Sequence, residues 1–173
     1  MTEFQIAGAL ISGILRITHP DQYRMGYQTL RHLAEIPQVA STLRRWPTVF
    51  HAITLICNRS SPLHRELKGN LSFFDLLVSV GDYRYAPLQL GPVGLQLPNT
   101  AGSIAAFSGK GFLHGAAMPD GPRVCHSFYM RKDLQEFTGV MPCQFMTQDM
   151  YRPHLGAVFN SRSFVFQDDP FCI

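Results

Sequence analysis

The chain has 173 residues, enough for one domain with a small appendage and too few for two cores of ordinary size. Hydrophobic residues make up 46% and charged residues 16%, which excludes disorder over most of the length, and no apolar run approaches the roughly 20 residues that cross a bilayer. Fifteen Lys and Arg against twelve Asp and Glu leave a mild positive balance that permits a nucleic-acid partner without demonstrating one.

Apolar residues at Ile6, Ala7, Leu10, Ile11, Ile14 and Leu15 recur at helical spacing, and His19-Pro20-Asp21 breaks that helix and starts the next. Tyr23, Tyr27, Leu30, Leu33 and Ala34 form a second stripe that closes near Pro37. A short third helix over 39–45 ends at Trp46-Pro47. From Thr48 the texture changes to short β-rich runs at 49–57, 71–80, 86–90, 94–97, 103–107, 111–114 and 124–130, separated by Gly, Pro, Asn and Asp turn signals. At least seven short strands with tight connections predict an α+β domain, an antiparallel jelly roll flanked by N-terminal packing helices. The expected organisation is a single domain over 1–140, with helices in 1–46 and the β-core in 48–132, followed by an irregular tail over 141–173. The first apolar stretch carries Glu3 and no basic start, so no secretory signal is expected. Four cysteines without Cys-x-x-Cys spacing predict neither a disulfide framework nor a zinc finger, and a soluble protein in a reducing, intracellular compartment is the expectation.

One constellation can carry chemistry. His64 and Glu66 are separated by a single residue, so an extended 63–67 segment would send both side chains from the same face. His114, much later in the chain, can add a second imidazole. Two His and one carboxylate on one side of a metal form the facial triad of non-haem Fe(II) oxygenases, which leaves positions open for cosubstrate and dioxygen. Arg123 follows across the turn-rich segment 115–122. Symmetric pairing of the flanking strands would put His114 and Arg123 opposite each other, about 5 Å apart, with the guanidinium beside the metal and able to fork onto a keto-acid carboxylate. A His-x-Glu pair alone is a weak signal, since a solvated turn beside Arg65 and Lys68 has the same spelling. The combination carries the reading. His19, His32, His51, His126 and His154 lack such a context and read as caps, surface or core groups.

These residues sit within longer strings: Arg45-Trp-Pro-Thr-Val-Phe50, Asn58-Arg-Ser-Ser-Pro-Leu-His-Arg-Glu66, Phe74-Asp-Leu-Leu-Val-Ser-Val-Gly81, Ser108-Gly-Lys-Gly-Phe-Leu-His-Gly115 and Arg123-Val-Cys-His-Ser-Phe-Tyr-Met-Arg131. In this order and spacing, over about 4–140, the chain resembles the TET/JBP-type 2-oxoglutarate and Fe(II)-dependent oxygenases, particularly their fungal branch. The resemblance implies a double-stranded β-helix that uses Fe(II), 2-oxoglutarate and dioxygen. His64, Glu66 and His114 match the iron ligands and so the catalytic centre, and Arg123 matches the arginine that pairs with the 2-oxoglutarate carboxylate. Arg59 matches a second basic residue at the cosubstrate, and Cys125 occupies the place of a small polar cosubstrate contact. Tyr129 and Arg131 match positions that in relatives approach the target base. The family usually has Asp where this chain has Glu66, and the extra methylene carries the carboxylate outward by roughly 1 Å.

The implied activity is hydroxylation of a C–H bond, by analogy the methyl group of a 5-methylcytosine- or thymine-type base in DNA, single-stranded or flipped out of the helix, with a nuclear location. Two other readings stay open. In one, the fold survives as a nucleic-acid or protein interaction surface with a decayed metal centre. In the other, the same oxygenase chemistry acts on a nucleoside, an RNA base or a small molecule.

Overall fold

The computed structural model describes residues 2–153, so His154 and the 154–173 part of the expected tail lie outside the described residues. The chain forms two compact units, one running to Val49 and resuming at Phe137, the other spanning Phe50–Glu136. None of the helices among the described residues is long and apolar enough to cross a membrane.

The first unit is helical. α1 (Glu3–Thr18) starts in a capping box: the Thr2 hydroxyl accepts the Gln5 N–H at 3.3 Å and the Gln5 side chain accepts the Thr2 N–H at 2.8 Å. Its buried positions, Gly8, Ile11, Ser12 and Leu15, follow the helical repeat. The Ser12 hydroxyl is a buried junction, donating to the Gly8 carbonyl at 2.8 Å, meeting the Thr48 hydroxyl at 3.1 Å and accepting the Val49 N–H at 3.1 Å. His19 is the expected break between helices. Fully buried, it caps the C-terminus of α1 through its N–H and the N-terminus of α2 (Pro20–Ala34) through Nδ1, which accepts the Gln22 N–H at 3.3 Å. α3 (Pro37–Leu43) opens on a proline, the residue suited to a first turn whose N–H has no partner. A helical turn at 148–153 stands where irregular chain was expected.

The second unit carries eight strands: β1 (Ala52–Cys57), β2 (Ser61–His64), β3 (Asp75–Gly81), β4 (Leu88–Leu90), β5 (Leu95–Leu97), β6 (Ile104–Phe107), β7 (His114–Ala116) and β8 (Arg123–Tyr129), then a short α4 (Lys132–Phe137). They form two antiparallel four-stranded sheets, in the orders β1-β8-β3-β6 and β2-β7-β4-β5, an arrangement consistent with a double-stranded β-helix jelly roll. Alternation along β3 sends Leu76 to one face, buried opposite its register partner Phe128, and Asp75 and Leu77 to the other. Leu88, Leu90 and Phe107 form a core cluster, flanked by Leu77, Ala105 and Phe112.

Two sequence expectations fail locally. The run 111–114 is turn as far as Leu113, because the Ser108 hydroxyl and carbonyl accept the N–H groups of Gly111 and Phe112; the strand is His114–Ala116 instead. Gly115 in that strand lies against the Ser61 carbonyl and the Leu63 N–H so closely that a Cβ would collide with the neighbouring strand. His114 and Arg123 also do not pair across a hairpin. β7 lies between β2 and β4 in one sheet, while β8 lies between β1 and β3 in the other. Leu90 and His64 are the partners of His114, and Gly81 is the partner of Arg123.

Candidate metal centre

The inner faces of the two sheets enclose a cavity. His64, His114, Leu88 and Ser61 line it from one sheet, Arg123, Cys125, Asp75 and Ile56 from the other, and Glu66 from the loop beyond β2. His64 and His114 are register partners on β2 and β7, with ring centroids 4.4 Å apart. β2 ends at His64, so Glu66 arrives from a loop rather than from the same strand face; its N–H donates to the Gly109 carbonyl at 3.0 Å.

Both imidazoles are oriented by the same local device. Nδ1 of His64 lies 2.8 Å from the Pro62 carbonyl and Nδ1 of His114 lies 2.9 Å from the Phe112 carbonyl. A carbonyl can only accept, so each Nδ1 carries the hydrogen and the neutral ring presents its Nε2 lone pair. Burial holds the His114 ring below the ordinary histidine pKa; the Phe112 carbonyl opposes this, His64 adds to it and Glu66 opposes it. Nε2 of His64 faces Oε1 of Glu66 at 3.3 Å. Two electron-pair donors at that distance are balanced by a proton or a metal ion between them. One donor atom from each of His64, Glu66 and His114 falls within 4.8 Å of the other two. Ligands about 2.1 Å from one ion lie about 3 Å apart on an octahedral face, so closure asks each pair to draw in by about 2 Å at most. The half-exposed Glu66 side chain can supply that movement. Two imidazole nitrogens and one carboxylate fit Fe(II).

Arg123 lies across the cavity and is 4% exposed. Its Nε and Nη2 reach the Ser79 hydroxyl at 3.4 and 3.3 Å, and its guanidinium stands 6.0 Å from the Tyr83 ring centre. No carboxylate among the described residues comes within ion-pair distance of it. A buried cation held only by neutral groups is a receptor for an anion.

Cys125 is buried and lines the same cavity. Arg59, Tyr129 and Arg131 are not among its lining residues. Arg59 is exposed, the Tyr129 hydroxyl lies 3.2 Å from the Thr54 hydroxyl, and Arg131 holds the Asp133 carboxylate in a fork at 3.1 and 2.6 Å. His51 has a core role: its Nδ1 accepts the Arg131 N–H at 3.2 Å, and burial lowers its pKa to about 4.

Asp75 is the site residue that spacing did not reveal. It is 7% exposed, lines the cavity and has its pKa raised to about 8 by burial first, then by the Glu66 carboxylate, against the hydrogen bond from the Gly109 N–H. Its signal in the sequence is the alternation Asp75, Leu77, Ser79 on a strand whose other face is apolar, which puts a carboxyl on an inward face.

A jelly roll that brings two imidazoles and a carboxylate together in front of a buried guanidinium defines a 2-oxoglutarate- and Fe(II)-dependent dioxygenase domain. The Tet_JBP family model, the oxygenase domain of the 2OGFeDO superfamily, matches residues 1–132, and the chain belongs to that family. No curated protein matches it.

Proposed function

We propose that this domain hydroxylates the methyl group of a nucleobase in DNA, of the 5-methylcytosine or thymine type, and that it works on a single strand or a flipped base in the nucleus. The observation that carries the reading is the meeting of His64 and His114 from one sheet with Glu66 from its loop, in a cavity that an uncompensated Arg123 lines from the other sheet. In this reading the three side chains hold Fe(II), Arg123 and Cys125 hold 2-oxoglutarate, and Arg59 assists from outside the cavity. Tyr129 at the end of β8 and Arg131 just beyond it reach the target base from outside the cavity. The match across 1–132 supports helices and β-core acting as one oxygenase domain, and the quoted strings favour the fungal branch.

When bound, iron and the keto acid supply the oxidising power of dioxygen for C–H hydroxylation, with 2-oxoglutarate converted to succinate and carbon dioxide. The protein's own work is orientation. The Pro62 and Phe112 carbonyls fix which nitrogen each imidazole presents, so the ligands require little reordering. The Arg123 guanidinium offers parallel N–H groups to a carboxylate inside a site of low dielectric, where a charge-assisted pair is strong. Leu77, Leu88 and Phe107 keep water from the reacting centre.

The test is succinate release together with oxidised base from methylated oligonucleotides under iron and 2-oxoglutarate, comparing free nucleoside, single strand and duplex. His114→Ala is expected to abolish both products; full activity in that variant would refute the assignment. Succinate release with every nucleic-acid substrate left unoxidised would refute the substrate.

A further inference from the structure

Glu66 reaches the candidate metal centre from a loop, on a long and half-exposed side chain, and something must hold it. The main chain of Gly109 is where two contacts meet. Its carbonyl accepts the Glu66 N–H at 3.0 Å, and the Asp75 carboxyl lies against its main chain, close enough to draw on its N–H. The fit is tight on both sides: a Cβ at Gly109 would strike Oδ2 of Asp75 and come within 2.9 Å of Cγ of Glu66, the methylene that an aspartate lacks. Asp75 lies outside the donor group formed by His64, Glu66 and His114, so it is not itself a ligand in this arrangement. It is rooted in β3, with Phe107 as its register partner, and is therefore fixed to the sheet opposite the two imidazoles.

We propose, resting on the assignment of a divalent metal to His64, Glu66 and His114, that Asp75 is a positioning residue for Glu66. It acts through the Gly109 peptide: one carboxyl oxygen anchors the N–H, the peptide plane is fixed, and its neighbour's carbonyl direction fixes the start of the Glu66 side chain. The rest of the loop is braced separately. Arg65 donates to the Lys110 and Gly111 carbonyls at 3.3 and 2.6 Å, and Ser108 donates to the Leu71 carbonyl at 2.7 Å. Those bonds keep the loop folded; the Asp75 contact aims it. Outer partners of metal ligands change metal affinity by about 10- to 100-fold when removed.

The experiment is anaerobic titration of the whole protein with Co(II), read by its visible ligand-field absorption, for wild type, Asp75→Ala, Asp75→Asn and Gly109→Ala, with circular dichroism on each metal-free protein. Asp75→Ala is expected to weaken binding by about 10- to 100-fold and to alter the Co(II) spectrum, because the carboxylate is no longer held in place. Asp75→Asn keeps an acceptor oxygen for the Gly109 N–H and is expected to stay within about threefold of wild type with the wild-type spectrum. Gly109→Ala, which leaves Asp75 in place and displaces the peptide, is expected to weaken binding and carries the test if Asp75→Ala does not fold. Wild-type affinity and spectrum in Asp75→Ala, or in Gly109→Ala where Asp75→Ala does not fold, would overturn the positioning role and leave the metal centre standing. A wild type that binds no Co(II) would overturn the metal assignment and this role with it.

Discussion

Replacing Arg123 by methionine separates a binding role from a structural one, because the two move in opposite directions. The guanidinium is 4% exposed and its polar side-chain contacts are two long hydrogen bonds to one hydroxyl, so in the ligand-free protein it is a desolvated charge with little compensation. Substituting an apolar side chain of similar length for such a buried charge is neutral or stabilising, by about 1–4 kcal/mol in comparable cases. With 2-oxoglutarate bound, the same substitution strands a buried carboxylate, and losing one partner of a buried charge pair costs about 2–5 kcal/mol, or roughly 30- to 4000-fold in cosubstrate affinity. The assay is thermal unfolding with Mn(II), with and without 2-oxoglutarate. At a hundred times Kd a ligand adds about 2.7 kcal/mol to stability, a rise of about 5–11 °C for a chain of this size. Wild type is expected to show that rise. Arg123→Met is expected to melt at or above the wild-type temperature without 2-oxoglutarate and to show no rise with it. A variant that melts lower and still gains the full increment would refute the reasoning.

The Asp75 carboxyl gives a pH dependence whose sign is opposite to the usual acid. Its pKa is raised from 3.8 to about 8 in the folded protein, so the folded state holds the proton more tightly than the unfolded chain, and stability falls as pH rises from about 4 through 8. The metal-free wild type is expected to lose melting temperature across pH 5–8.5, and Asp75→Asn, which stays neutral, to lose markedly less; equal slopes would count against the shift. Leu76→Ala removes a fully buried side chain on the sheet face away from the cavity and is expected to cost about 2–5 kcal/mol in urea unfolding while leaving Co(II) affinity unchanged in the folded protein. Loss of metal affinity in that variant would show that the two faces of β3 are coupled.

The helices were legible because their stripes and stop signals are local: Ile6 to Leu15 repeat at helical spacing, and His19-Pro20 spells a boundary. The grouping of His64, Glu66 and His114 was legible by residue type but not by route. β2 escaped the strand pattern because Pro62 sits inside it, and proline in a strand argues against one until its edge position is known. The hairpin geometry that linked His114 to Arg123 fails because residues 117–122 carry the chain from one sheet to the other, a long-range choice that no local spacing encodes. Both side chains nevertheless line the same cavity, each from its own sheet. Asp75 was hidden for a related reason: inside the run 71–80 a single carboxyl gives no sign of the loop that closes over it.

His64 and His114 are the facing pair of a two-stranded ladder whose strands are distant in the chain. An ion gripped by both rings is therefore a crosslink as well as a reagent. It ties off the whole intervening stretch, β3 to β6 included, into a closed ring, and the freedom denied to the denatured chain counts toward the stability of the loaded fold. Chelation would unfasten that ring, and hydrogen exchange at β2 and β7 would register its opening.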